Sequence, residues 1–282
     1  MTITKTSLAA LAVAAVALTG APLGGAQAGS ELMPGISTGI PLGAPLPEGL
    51  WSITIPTYGS RDSDPRVDTS AVVPAWLIWS TPWTLGGGVI MLDAVMPYVN
   101  ADVNNGPQFS GMANGFIDMQ VKWNLGNGFF GGFQSGIYLP IDSEVGNNYV
   151  SWQGVAALSY LKDGWDLSST FIYGTGAEGS DGGPAWFNVD LTATKKFGKF
   201  EIGAVGFGST DLSTPYVGYQ KQSQFALGGL IGYDFDICNI QLKLTRDVYQ
   251  ENYGGYETRV WANIIVPLMA PSSAMRPAVF KY

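Results

Sequence analysis

The sequence predicts an all-β protein, a transmembrane antiparallel β-barrel of about 12 strands in an up-and-down meander, behind a cleaved signal peptide. Three observations carry this. Strand-like runs follow one another from Leu50 onward with no helical period between them. The connections between them alternate strictly between long and short. Aromatic side chains gather near the run ends.

Composition agrees and excludes much else. The chain has 282 residues with 38 Gly, 12% aromatic and only 13% charged residues, a balance that fits neither a cytosolic enzyme nor a disordered chain. Mean hydropathy is +0.14, high for a soluble protein and too evenly spread for membrane helices. After Ala28 no apolar run approaches the roughly 20 residues a spanning helix needs.

At the N-terminus, Lys5 precedes the apolar run Leu8 to Leu18, and Ala26-Gln27-Ala28 has the small-x-small form of a signal-peptidase site. The domain layout expected is a signal peptide over 1–28, a leader over 29–48, a barrel over 49–268 and a tail over 269–282. Export places the chain in the outer membrane of a Gram-negative cell, with outer-membrane lipid and the barrel-assembly machinery as partners. Loss of Lys5 from the 14 basic residues leaves 13 against 22 acidic ones, a net charge of −9, which disfavours nucleic acid. With no His and one Cys there is no intramolecular disulfide, no His-based zinc site and no Ser-His unit, so neither catalysis, metal nor cofactor is expected. A carboxylate-only hydrolase built on Asp118 and Asp190 is the enzymatic alternative; carboxylates in a lumen more often set its field. Cys238 falls in a turn.

Gly29 to Glu48 is rich in Gly and Pro (Met33-Pro34-Gly35, Gly39-Ile40-Pro41-Leu42-Gly43) and has neither strand nor helix period. It is apolar enough to pack against something, as a plug inside the barrel, or it is a flexible periplasmic segment. The runs that follow are Leu50 to Tyr58, Ser70 to Ser80, Gly88 to Ala101, Gly111 to Leu125, Phe129 to Ile141 and Tyr149 to Leu161. Then come Trp165 to Gly174, Trp186 to Phe197, Phe200 to Ser209, Gln224 to Phe235, Ile240 to Tyr249 and Tyr256 to Pro267. Most are near the 9 to 11 residues with which a tilted strand crosses a bilayer, about twice the usual soluble strand.

Turns are read at Thr81 to Thr84, Gly126 to Gly128, Lys162 to Gly164, Gly198-Lys199 and Asp236 to Asn239. Longer polar links lie between them at Gly59 to Thr69, Asp102 to Ser110, Asp142 to Asn148, Thr175 to Ala185, Thr210 to Ser223 and Gln250 to Gly255. Short periplasmic turns and long extracellular loops produce this rhythm, which a soluble sandwich has no reason to show. The acidic links Arg61-Asp62-Ser63-Asp64 and Asp142-Ser143-Glu144 read as solvated loops, since their spacing has no EF-hand signature.

The fourth run sets Ile117, Met119, Val121 and Trp123 against Asp118, Gln120, Lys122 and Asn124, and the eighth sets Val189, Leu191 and Ala193 against Asn188, Asp190, Thr192 and Thr194. The last two runs form a hairpin with Ile240, Leu242, Leu244, Val260, Ala262 and Ile264 on the lipid face. Its final strand is expected to close the barrel against Leu50 to Tyr58. The girdle set includes Trp51, Tyr58, Trp76, Trp79, Trp83, Tyr98, Trp123, Phe129, Tyr138, Tyr160, Trp165, Tyr173, Phe187, Phe197, Phe200, Tyr233 and Phe235, where ring bodies prefer hydrocarbon and N–H or O–H groups prefer headgroup water. Inward-facing side chains, candidates either to set selectivity or to fill the lumen, are expected at Asp93, Asp118, Gln120, Lys122, Asp190, Thr192, Lys243, Asp247, Glu257, Arg259, Trp261 and Asn263. With Thr245 opposite Arg259, Asp247 faces Glu257 and Lys243 faces Trp261, so mixed charges and an indole form a constriction or a space-filling network.

Several stretches together resemble the phenol-degradation (MetA-pathway) outer-membrane transporter family: Asn114-Gly115-Phe116-Ile117-Asp118, Gly136-Ile137-Tyr138-Leu139-Pro140, Asn148-Tyr149-Val150-Ser151-Trp152 and Tyr160-Leu161-Lys162-Asp163-Gly164-Trp165. Tyr233-Asp234-Phe235, Leu242-Lys243-Leu244 and Arg259-Val260-Trp261 extend the likeness, which runs over most of Pro47 to Leu268. The resemblance implies an outer-membrane channel for passive uptake of small hydrophobic or aromatic solutes, and it transfers no ligand residues. A structural or surface-interaction barrel with a plugged lumen is the alternative. The Pro-containing tail Met269 to Tyr282 departs from the family, whose barrels end on the last strand. The purified mature chain should require detergent and migrate heat-modifiably on a gel; solubility without detergent would instead make it a secreted β protein.

Overall fold

Alternation with period two and near-bilayer length leave these runs one solution, a sheet whose edges meet, because hydrocarbon offers no partner to an unpaired strand edge. The computed structural model describes residues 29–179 and 181–269. The expected signal peptide and nearly all of the expected C-terminal tail lie outside the described residues. Among the described residues all regular structure is strand. The strands are β1 (Gly49–Arg61), β2 (Val67–Leu85), β3 (Gly88–Val95), β4 (Tyr98–Val103), β5 (Gln108–Met112), β6 (Phe116–Gly126) and β7 (Phe129–Tyr138). They continue as β8 (Ser151–Lys162), β9 (Trp165–Gly174), β10 (Trp186–Phe197), β11 (Phe200–Asp211), β12 (Ser223–Asp234), β13 (Asn239–Glu251) and β14 (Glu257–Met269).

These make the twelve walls of a closed antiparallel barrel, because β3 with β4, and β5 with β6, are each one strand interrupted. The first interruption is at Met96-Pro97, where proline has no N–H to give the ladder, and the second is at Ala113 to Gly115. Closure is by β1 on β14, with Ser52 opposite Val266 and Gly59 opposite Arg259, while the other edge of β1 pairs with β2.

Turns of two residues join β2 to β3, β6 to β7, β8 to β9 and β10 to β11. Asn127 and Asp163 sit in them at φ 54° and 53°, left-handed positions that Asn and Asp tolerate, each followed by Gly. The expected turn at Thr81 to Thr84 is strand instead. β2 runs on to Leu85, and Gly86-Gly87, both at positive φ, make the turn.

Outward-facing positions are apolar, among them Ile117, Leu167, Leu191, Ile231, Leu242 and Val260. Aromatic rings mark both rims. Tyr58, Tyr98, Trp152 and Tyr173 are exposed toward the long-loop end, and Trp79, Trp83, Phe129, Trp165, Phe197, Phe200 and Phe235 toward the short-turn end. Many pack as neighbours, as in Phe129 with Tyr160 at 4.8 Å and Phe200 with Tyr233 at 4.7 Å. Three expected girdle residues are not in the girdle: Trp51, Trp76 and Tyr138 are buried inside. Their polar atoms explain why, since the indole of Trp51 donates to the Pro47 carbonyl at 2.9 Å, that of Trp76 to Asp93 at 2.6 Å, and the Tyr138 hydroxyl to Gln153 at 2.6 Å.

Residues 29–48 run through the interior from the long-loop end to the short-turn end. Ser30 accepts from Asn188 at the start of β10, and Gly43 donates to Ser159 near the end of β8. Ile36, Ile40 and Leu42 join Trp51, Ile53, Ile55, Trp76, Phe207, Trp261 and Ile265 in one apolar cluster between this segment and the wall. Trp186 closes a second cluster and lies flat on Gly174, where an added Cβ would stand 2.1 Å from the indole. Gly174→Ala should therefore destabilise the barrel by about 1–3 kcal/mol through overpacking, read as a lower temperature for loss of the fast-migrating folded band.

Candidate functional site: the occupied lumen

The lumen is built by the polar half of each strand's alternation, and the internal segment supplies its centre. Gly35, Gly39 and Gly43 recur every fourth residue of that segment, and each lies against the wall. A Cβ at Gly35 would meet the Phe207 ring at 2.4 Å, one at Gly39 the Leu230 and Gln241 side chains at 2.6 Å, and one at Gly43 the Ser159 backbone at 2.7 Å. Gly35 and Gly39 also have φ of 86° and 81°, which L residues rarely adopt. Turn bonds from Thr38 N to Gly35 O, Ile40 N to Ser37 O and Ala44 N to Pro41 O hold the segment compact.

At mid-height the wall grips the segment by charge and hydrogen bonds. Asp190 accepts from Gly35 N at 2.9 Å, Ser37 N at 3.0 Å and Ser37 Oγ at 2.7 Å. Lys243 Nζ donates to the Thr38 carbonyl at 3.0 Å and its hydroxyl at 2.9 Å. Thr192 accepts from Gly39 N, Gln241 donates to the Gly39 carbonyl, and Asn263 donates to the Thr38 carbonyl at 3.1 Å. Trp261 stands between two cations, with Lys243 Nζ 4.8 Å and the Arg259 guanidinium 5.5 Å from its ring.

Toward the long-loop end, Arg259 Nε donates to Glu257 at 2.6 Å, and Asp247 accepts the backbone N–H of Glu257 at 2.7 Å. Arg259 lies over Gly59, where a Cβ would be 2.6 Å from the guanidinium, and Arg61 stacks 4.0 Å from the Tyr253 ring centre. On the β3–β6 wall, Asp93 accepts from Trp76 and from Gln120 at 2.6 Å, and Asp118 accepts from Gln120 at 3.2 Å and from Gln134. Lys122 is buried where it interacts through space with both carboxylates.

All twelve inward positions named from the sequence are buried. Lys243, Asp190, Thr192 and Asn263 hold the internal segment, Arg259, Glu257 and Asp247 bind one another, Trp261 stands between these two sets, and Asp93, Asp118, Gln120 and Lys122 form a wall network apart from them. Asp118 and Asp190 have different hydrogen-bond partners and make no dyad. The sequence pattern missed the segment's own residues. Ser37 and Thr38 carry its polar contacts, and Glu31 accepts from Asn147 at 3.1 Å and from Ser151. Burial pushes the Glu31 carboxyl above its ordinary value, and those two bonds only partly offset it. The glycine repeat at every fourth position was the available signal.

Free space in the lumen is uneven. A cavity of about 270 Å³ lies at the long-loop end, between the start of the internal segment, the inner faces of β1 to β4, Ala113-Asn114, Tyr138 and residues 144–147. Below it the voids shrink to about 30 Å³ beside Leu42 and Phe116 and about 20 Å³ beside Leu46 and Met91, room for about one water each. Asp62, on the first long loop, accepts from Tyr256 N at 2.7 Å and Arg246 at 3.0 Å, so it ties the first loop to the closing hairpin.

Comparisons with known proteins agree with this architecture. A family profile described as "Putative MetA-pathway of phenol degradation" matches residues 57–264. The crystal structure of the COG4313 outer membrane channel from Pseudomonas putida F1 superposes with a TM-score of 0.67 at 14% identity, covering 79% of this chain and 97% of that one. The NanC porin aligns at a TM-score of 0.49 and 9% identity, over 77% of this chain and 100% of its own. No curated protein matches the sequence. Lys243→Met, which removes the donor to the Thr38 carbonyl and hydroxyl and the cation nearest Asp190, should loosen the segment by about 1–3 kcal/mol; planar-bilayer recordings should show more frequent openings while the heat-modifiable band persists.

Proposed function

We propose, from the premise that this chain belongs to the family described as "Putative MetA-pathway of phenol degradation", that it takes up small hydrophobic or aromatic organic molecules passively across the outer membrane. The outer-membrane channel-like barrel is common ground with its structural relative; the solute class is our reading. The observation that carries it is the cavity of about 270 Å³, mostly apolar but edged by polar groups, at the end bearing the long loops, between the wall and the internal segment. A barrel that only filled its own interior would have no need of such a chamber. The family's description, which concerns phenol degradation, supports the same class of solute. The reading is non-enzymatic: the buried carboxylates are engaged in binding the segment or in wall networks.

The voids of about 30 and 20 Å³ lower in the lumen favour a second reading, a structural barrel whose lumen is plugged. Transport then requires displacement of residues 29–46, and the two readings divide on that point. Uptake of radiolabelled toluene by intact cells, whose outer leaflet slows apolar solutes, should rise several-fold when the protein is present. In liposomes, deletion of residues 30–46 should add benzoate flux that the full chain lacks. A folded protein that leaves toluene uptake at the level of protein-free cells would put the structural reading in front.

A further inference from the structure

The large cavity has a chemistry of its own. Leu32, Met33, Ile36, Ile55, Val73 and Val95 supply apolar walls; Glu31 and Glu144 are its charged lining residues, and no Lys or Arg lines it. A cavity of about 150 Å³ is large enough for benzene, so about 270 Å³ has room for one substituted ring against the apolar walls, with the polar groups of Ser30, Thr57, Asn114 and Asn147 at its edge. The two carboxylates disfavour an anion there.

The wall beside it is unlike the rest of the barrel. Above the pairing of Phe116 with Tyr138, β5 pairs with β4 on one edge, and no strand pairs with its other edge. That edge is joined to residues 139–150 chiefly through side chains. Asn114 Nδ2 donates to the Leu139 and Asn147 carbonyls, both at 2.8 Å, and Asn114 Oδ1 accepts from Asn147 N at 2.7 Å. Ser143 Oγ donates to the Met112 carbonyl at 2.7 Å, and Ser110 N donates to Glu144 at 3.1 Å. The inner side of this seam, at Pro97, Ala113, Asn114 and Asn147, lines the cavity. On its outer side Met96 and Leu139 are exposed, 43% and 40%, at the height of the girdle residue Tyr98. Such a junction can part by breaking a few bonds of about 1 kcal/mol each, with the strand ladders below it intact.

We propose that this cavity binds one neutral apolar ring molecule and that the Asn114 seam is the door through which the molecule passes between the cavity and the outer leaflet. The close-packed lumen beneath leaves an occupant no straight route onward, whereas hydrocarbon lies just beyond the seam. The proposal takes from the transport reading only that such molecules meet this protein, because binding and sideways exchange need no net uptake.

Fluorobenzene and 4-fluorobenzoate, followed by 19F NMR on the full chain in lipid nanodiscs, test both parts. Fluorobenzene should give a saturable bound signal, and 4-fluorobenzoate none. Ala71→Phe, or Ile36→Trp from the segment side should the first not fold, should weaken fluorobenzene binding at least tenfold by filling the cavity. In a Cys238→Ser background, Gly111→Cys with Ser143→Cys can be bridged across the seam, since a Cβ at 111 stands 3.3 Å from that of Ser143, near the usual disulfide spacing of about 3.5–4.5 Å. Oxidation should slow exchange between bound and lipid-dissolved fluorobenzene at least tenfold, reduction should restore it, and Asn114→Ala should speed it. No bound signal, or one that both filling variants leave unchanged, overturns the site; equal exchange in the oxidised and reduced forms overturns the door. Binding and seam-dependent exchange together with failed toluene uptake by cells would refute the transport reading and leave this one standing.

Discussion

Every backbone N–H and C=O in the hydrocarbon layer needs a partner from the protein itself, and the ladder between β1 and β14 is where that demand is met last. Without it two strand edges would face lipid, each unpaired group at a cost of several kcal/mol. The rest follows from closure. Strands that must join a ring alternate their side chains between two environments, so Leu191 and Leu242 face lipid while Asp190 and Lys243 face the lumen. The lumen is polar because the barrel is closed, and its polar groups then need partners of their own.

Twelve strands enclose more space than the wall side chains fill, and the segment at residues 29–48 occupies the difference. Its grip is geometric as well as electrostatic. Glycine at every fourth residue brings its backbone within reach of Asp190, Thr192, Ser159 and Lys243, while Ile36, Ile40 and Leu42 between them bury against Trp76 and Trp261. Lys243 and Asp190 lie at opposite sides of the same turn, and each neutralises charge that the other would leave exposed to a low-dielectric interior. Asp190, Thr192, Lys243 and Asn263, which look from the strand pattern like pore-lining selectivity groups, act here as docking groups for a piece of the same chain.

The wall departs from its own rule in one place. Interruptions at Met96-Pro97 and Ala113 to Gly115 end the ladder early, and side chains of Asn114 and Ser143 take over. Because those side chains satisfy the Leu139, Asn147 and Met112 carbonyls themselves, this substitution costs little. It also puts the stretch of wall held chiefly by side chains beside the cavity of about 270 Å³.

The sequence by itself determined the closed barrel, its strand count, its loop rhythm and the inward face of its polar strand positions, because these depend on local period and length. The identity of the buried positions from Asp93 to Asn263 was legible for the same reason. Only the tertiary structure decided what those positions touch. Trp51, Trp76 and Tyr138 lie near strand ends as girdle residues do, yet parity and a polar partner inside the barrel, Pro47 for Trp51 and a residue of the next strand for Trp76 and Tyr138, turn them inward. The leader has no strand or helix period, so its path could not be read; its partners Asp190 and Lys243 lie more than 150 residues away in sequence. The glycine spacing announced a close approach, but what it approaches is set by the curvature of twelve strands around it, a property that belongs to the closed sheet and to no single stretch of the chain.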